Sequence, residues 1–144
     1  MKTVANILSA KGHDIYEVSP DTSVFEALQI MADKNVGALV VMEGDALVGI
    51  LSERDYARKV VLEDRRSPDT PVSQIMTAEV TTVGPESPVE ECMELMTERH
   101  IRHLPVIQGD QLVGVISIGD VVKTMIADLA ALVDQLDSYI RGGR

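Results

Sequence analysis

The chain repeats itself. Shifted by 65 residues, positions 15–60 align with 80–125 without a gap. Matches run from Val18/Val83 and Pro20/Pro85 through Met31/Met96 to a dense cluster: Gly44/Gly109, Asp45/Asp110, Gly49/Gly114, Ser52/Ser117 and Asp55/Asp120. One register held over that many positions is an internal duplication, and a unit this short cannot bury its apolar face alone. Two like units packed face to face are the expectation.

Each unit reads as β-α-β-β-α. A short strand, IYEV (15–18) or VTTV (80–83), ends near a proline. SPVE (87–90) has the pattern of a capping box, with Thr22 as the aligned cap in the first unit. Val24, Ala27, Leu28 and Met31 then fall at helical spacing, as do Val89, Cys92, Met93 and Met96. Apolar strands ALVVM (38–42) and HLPVI (103–107) lead through Gly-Asp turns into LVGILS (47–52) and LVGVIS (112–117), and a helix begins at each Ser. The division predicted is a helical N-terminal segment (1–14), repeat 1 (15–62), a polar linker (63–79), repeat 2 (80–126) and a C-terminal helix and tail (127–144). The class is α+β, with the repeats related by a pseudo-two-fold axis. The last helix should run over about 120–140 and stop at Arg-Gly-Gly-Arg. Its stripe of Val121, Met125, Ile126, Leu129, Leu132, Val133 and Leu136 is either core or a dimer face.

Charge and composition narrow the function. Thirteen basic residues against 23 acidic give a net charge of -10, and aromatics are 3%, so neither a phosphate backbone nor stacked bases find a platform. Nucleic acid is not expected as a partner. No apolar run approaches the roughly 18 residues of a membrane span, and the start is too polar for a secretory signal. With a single cysteine, Cys92, a reducing, cytoplasmic setting is expected. None of the hydrolase, zincin, phosphate-loop or dinucleotide signatures occurs, so no catalytic residue and no required cofactor are assigned. His100 and His103 have a metal-like spacing only if both lie on one helix, and a strand is predicted near 104, so no metal site is assigned.

These residues resemble a known family. The β-α-β-β-α duplication, the LVGVIS-x-x-D signature and the HLPV strand are similar to a tandem pair of cystathionine β-synthase (CBS) domains. Phrases such as VGALVV, SERDYARKV and LMTERHIRHLPV further resemble the short stand-alone CBS-pair proteins of bacteria and plant organelles. The resemblance covers nearly the whole chain and implies a non-catalytic regulatory module that senses an adenosine nucleotide, with homodimers usual and the regulated protein partner unknown.

The repeated Ser-x-x-Asp admits two roles. As a helix cap, each copy is worth about 1 kcal/mol and needs no ligand. As a ligand site, the helix start suits a phosphate and the acceptor-only Asp suits the two hydroxyls of a ribose. The family geometry implies two clefts between the units. Site one combines Ser117, Gly119 and Asp120 with Ile15, Tyr16, Val36, Gly37 and Ala38. Site two combines Ser52, Arg54 and Asp55 with Val80, Thr81, Ile101, Arg102 and Pro105. Small Gly37 and Ala38 favour site one for adenine, with His103, Arg102 and Arg54 reaching phosphate and Lys11 approaching. AMP comes first among the ligands, then NAD(H) or ATP. A ligand-independent dimerisation or interaction module is the alternative.

Overall fold

A computed structural model describes residues 2–142. The predicted tail residues Gly143 and Arg144 lie outside the described residues. Unit 1 contains β1 (Glu17–Val18), α2 (Val24–Lys34), β2 (Ala38–Glu43), β3 (Ala46–Ser52) and α3 (Glu53–Tyr56), preceded in the chain by α1 (Val4–Lys11). The turn of α3 widens into a π-type segment, Ala57–Val61. Two short 3₁₀ turns, Ser67–Asp69 and Val72–Gln74, lead to unit 2: α4 (Val89–Arg99), β4 (His103–Gln108), β5 (Gln111–Ser117) and α5 (Ile118–Ile140).

The hairpins β2–β3 and β4–β5 are superimposable in register, down to a bulge after Val41 and after Val106. Each turns at Gly-Asp, with φ 63° at Gly44 and at Gly109, a conformation costly for a residue with a Cβ. Helices α2 and α4 press Val24, Ala27 and Met31, or Val89, Cys92 and Met96, into their unit's core as the spacing predicts.

Two local expectations are corrected. Strand β1 pairs parallel with β2, but VTTV makes only an isolated bridge, Val83 to Val106. In unit 1 the Val40 N–H donates to the Tyr16 carbonyl oxygen, whereas the aligned residue in unit 2 is Pro105, which has no N–H to give Thr81. The cap of α2 is Ser23, whose hydroxyl accepts from Glu26 N, and that of α4 is Pro88. Thr22 and Ser87 instead accept from the amides of Ser19 and Gly84, closing the preceding turn. The last helix, Ile118–Ile140, starts from its Ser117 cap, as the reading of a helix beginning at each Ser expects.

The units exchange their leading segments. Helix α1 packs on unit 2, where Val4, Ile7 and Leu8 are buried with Leu104 and Ile116. The 63–79 stretch, expected to be a polar linker, sends Val72 and Ile75 into the core of unit 1. The two segments are equivalent at an offset of 68, since Thr3 bridges Pro88 as Pro71 bridges Ser23. Val4 N donates to Ser87 O (2.9 Å) and Val72 N to Thr22 O (2.7 Å), one contact in two copies. Both segments lie against a glycine. A Cβ on Gly114 would meet Leu8 Cδ2 at 2.7 Å, and one on Gly49 would meet Met76 Sδ at 2.5 Å. These glycines admit the incoming segment.

Because Leu8 is fully packed while Met76 is flexible and part-exposed, Gly114→Ala should cost about 1–3 kcal/mol and Gly49→Ala less. Urea unfolding midpoints of the two variants check the order.

Candidate functional site

Both Ser-x-x-Asp motifs form reciprocal capping boxes at the strand-to-helix junctions. Ser52 Oγ accepts from Asp55 N (3.2 Å) while Asp55 Oδ2 accepts from Ser52 N (3.0 Å). Ser117 Oγ accepts from Asp120 N (3.2 Å) while Asp120 Oδ2 accepts from Ser117 N (2.8 Å). Each box fills an amide that the helix start leaves unpaired. The cap role is therefore real in both copies, and any ligand role comes in addition to it.

The two carboxylates differ in what remains. Asp55 is buried, and its Oδ1 faces Lys59 Nζ (3.2 Å) and, at 3.5 Å, the Thr77 hydroxyl. Asp120 Oδ2 also accepts from Lys11 Nζ at 2.7 Å, and Lys11 donates on to the Val115 carbonyl oxygen at 3.0 Å. Among the described residues Asp120 Oδ1 accepts no hydrogen bond. Burial pushes the Asp120 acid up, but the bonds from Lys11 and the Ser117 amide outweigh it and hold the acid below the usual carboxylate range.

A cleft of about 640 Å³ opens between the units on the Asp55 side. Such a volume matches a nucleotide-sized ligand. Ser52, Arg54, Asp55, Val80, Thr81, Ile101 and Arg102 of the expected site two line it, and Pro105 lies buried in β4. From site one only Gly37 and His103 reach it. A Cβ added to Gly37 would stand 3.3 Å from His103 Cε1, and His103, on the cleft wall, is near enough to Lys11 and Asp120 to feel both charges. Tyr16 and Val36 pack on the core of unit 1 instead, with Lys34 Nζ 5.6 Å from the Tyr16 ring centroid. Ile15 and Ala38 are part-buried at the ends of that unit's strands, and Gly119 is exposed in the first turn of α5.

The walls also contain Ile50, Glu53, Thr77, Glu79, Arg99 and His100, which the sequence reading did not place at either site. Arg99 and His100 adjoin Ile101 and Arg102, and their contiguity was a usable signal. Thr77 and Glu79 arrive only because Thr77 pairs with Ile50 through two backbone bonds, 3.0 and 2.9 Å, and no motif announces that. His100 ends α4 in a left-handed conformation (φ 55°), as Asn35 ends α2, and His103 opens β4, so the two imidazoles share no helix face.

The electrostatics of the cleft are local. Arg54, Arg99 and Arg102 make no ion pair among the described residues; Arg54 Nη1 donates across the units to the His100 carbonyl oxygen. Three guanidiniums without an ion pair line this cavity together with the carboxylates of Glu53, Asp55 and Glu79, and they are the groups there able to take an anion. Burial, then the Lys11 ammonium, hold His103 below its ordinary value of 6.5, with Asp120 opposing and Arg102 adding to the shift.

Comparison with known proteins shows the family and agrees with the fold. The family described as "CBS domain" matches residues 5–62 and 72–127. The chain is similar to the mitochondrial CBS domain-containing protein CBSX3 of Arabidopsis thaliana, 40% identical over 98% of this chain and 73% of that protein. It resembles the solved structure of a putative signal-transduction protein with CBS domains from Burkholderia ambifaria, with a TM-score of 0.86 and 54% identity over 88% of this chain and 96% of that one. In fold alone it is also like the CBS domain pair of protein MJ0100, solved with 5'-methylthioadenosine and S-adenosyl-L-methionine (TM-score 0.78, 22% identity, 89% and 98% covered).

Folding suppresses protonation of His103, so the unfolded chain takes up that proton first as pH falls. Stability should be complete above 6.5 and decline as pH drops from 6.5 through the lowered folded value. Asp120, also held low, adds loss of the same sign below 3.8. His103→Gln should flatten the upper limb alone, as measured by unfolding free energy against pH.

Proposed function

This chain belongs to the CBS-domain family as a tandem pair, and we propose that it is a non-catalytic regulatory module binding an adenosine nucleotide between its units. The observation that carries this is the cleft on the Asp55 side, with three unpaired guanidiniums on its walls. Phosphate would rest on Arg54, Arg99 and Arg102, and the flat base would enter beside Val80 and Ile101. The ribose would meet Asp55 Oδ1, competing there with Lys59 at 3.2 Å and with the longer contact from Thr77. The sequence favoured the Asp120 side for adenine. Both carboxylates already face a lysine, Asp120 facing Lys11 at 2.7 Å and Asp55 facing Lys59 at 3.2 Å, so it is the cleft that favours the Asp55 side. AMP remains first among the ligands, then NAD(H) and ATP. That a protein of the same fold is solved with adenosyl ligands is consistent with this class.

Signalling requires that the ligand bind one packing of the units, or of two chains, better than another. A homodimer is the assembly proposed, since α5 leaves apolar residues exposed; the regulated protein partner is unassigned. The buried Cys92, its thiol pushed up to about 11 by burial and then by Glu91, is compatible with a reducing, cytoplasmic setting. Among the described residues no helix is long and apolar enough to cross a membrane.

A second reading has its own support: both carboxylates are already used as caps, so the pair could serve as a ligand-independent interaction module. A thermal-shift panel of AMP, ADP, ATP, NAD and NADH separates the two, because a ligand specific for the folded state raises the midpoint. Arg102 is exposed, so Arg102→Ala should leave the unliganded midpoint unchanged. The same change should weaken nucleotide binding about ten- to a hundredfold in calorimetry. A flat panel with every nucleotide favours the interaction module.

A further inference from the structure

Helix α5 leaves one face uncovered. Ile126, Leu129, Leu132, Val133 and Leu136 are 50–62% exposed, and Tyr139 and Ile140 more so. The helix has 23 residues, so it is about 35 Å long. Its equivalent in unit 1 ends with the π-type segment at Val61. The exposed positions are not scattered. Val122, Ile126, Leu129, Val133, Leu136 and Ile140 follow one another at spacings of four and three, the seam of a heptad repeat. A helix lying on a globular core needs only a broad apolar stripe at the 3.6-residue period. A 3.5-residue seam kept clear of its own core calls for a second helix.

We infer that α5 pairs antiparallel with α5 of a second copy, about a two-fold axis at Ala131. This rests on the homodimer proposed above and specifies its surface and register. With the axis at Ala131, Val122 meets the second copy's Ile140, Ile126 meets Leu136, and Leu129 meets Val133. Every core layer is then apolar on both sides. The flanks agree with the same register. On one flank Leu132 faces its own copy, and Met125 faces Tyr139. On the other, Lys123 stands opposite Asp137 twice by symmetry, with small Ala130 between. Lys123 forms no ion pair among the described residues, and Asp137 has an exposed partner in Arg141 at 3.2 Å. In a parallel pair each of these flanking charges would instead meet an apolar residue, Ile118 or Leu132, so the charges select the antiparallel direction. Val121, about 100° round the helix from Val122, is buried on unit 2 with Ile118 and Met125 packed beside it, so pairing along the seam leaves that contact in place.

Two measurements on the full chain test this. The first is sedimentation equilibrium of charge variants at exposed positions. Lys123→Asp or Asp137→Lys alone should raise the dimer dissociation constant about tenfold, and the double exchange should restore it. The second is oxidation of cysteine variants, with the fully buried Cys92 left in place. Ile126→Cys and Leu136→Cys chains should each stay unlinked alone and become disulfide-linked when mixed. Self-linking of Ile126→Cys would mean a parallel pair and overturn the register. A dimer that none of these variants affects would place the contact elsewhere and overturn the role of α5 while leaving dimerisation standing. A chain that stays monomeric at high concentration would overturn both.

Discussion

Two close approaches hold the molecule in its shape: Leu8 against Gly114 and Met76 against Gly49. Each lets a leading segment lie flat on the last strand of a hairpin, where an added methyl group would collide with the segment's side chain, Leu8 or the more yielding Met76. The burial behind these contacts is substantial. Val4, Ile7 and Leu8 on one unit, and Val72 and Ile75 on the other, are each worth roughly 1.5–3 kcal/mol of apolar transfer. Since α1 precedes unit 1 in the chain yet covers unit 2, while 70–76 follows unit 1 and covers it, the exchange ties the two repeats together.

The site inherits its asymmetry from that exchange. The segment after Val72 carries Thr77 and Glu79 to the Asp55 side and leaves a cleft there. Helix α1 instead ends in Lys11, which reaches the Asp120 side and ties up its carboxylate. Two motifs identical in their capping geometry thus face different surroundings: Asp55, paired with Lys59, borders a cavity edged with guanidiniums, while Asp120, paired with Lys11, lies near a histidine held below its ordinary pKa. Duplication supplied two equivalent mouths, and the segments laid across them made the mouths unlike.

Much of this was legible in the residues. The hairpins, their glycine turns, the buried faces of α2 and α4 and both capping boxes follow from local patterns that tertiary packing did not override. What escaped were effects that one position exerts on a distant one. Pro105 empties the VTTV ladder by lacking an N–H, which is visible only once Val40 is known to donate to Tyr16. Val72 and Ile75 were hidden in a polar stretch because their equivalence to Val4 and Ile7 runs at an offset of 68, outside the 65-residue register. Arg54 and Arg102 were named for phosphate and do line the cleft, while Arg99 and His100 were passed over beside them. Tyr16 was placed at a ligand by the geometry that the family resemblance implies, and its ring packs against the core of its own unit.

Crystals grown with adenylate test most directly whether the Asp55-side cleft is a binding site. The prediction is density between the units with phosphate on the guanidiniums of Arg54, Arg99 or Arg102 and a ribose hydroxyl on Asp55. An empty cleft at saturating adenylate, with the Ser52–Asp55 box unchanged, would contradict it, as would nucleotide bound only elsewhere.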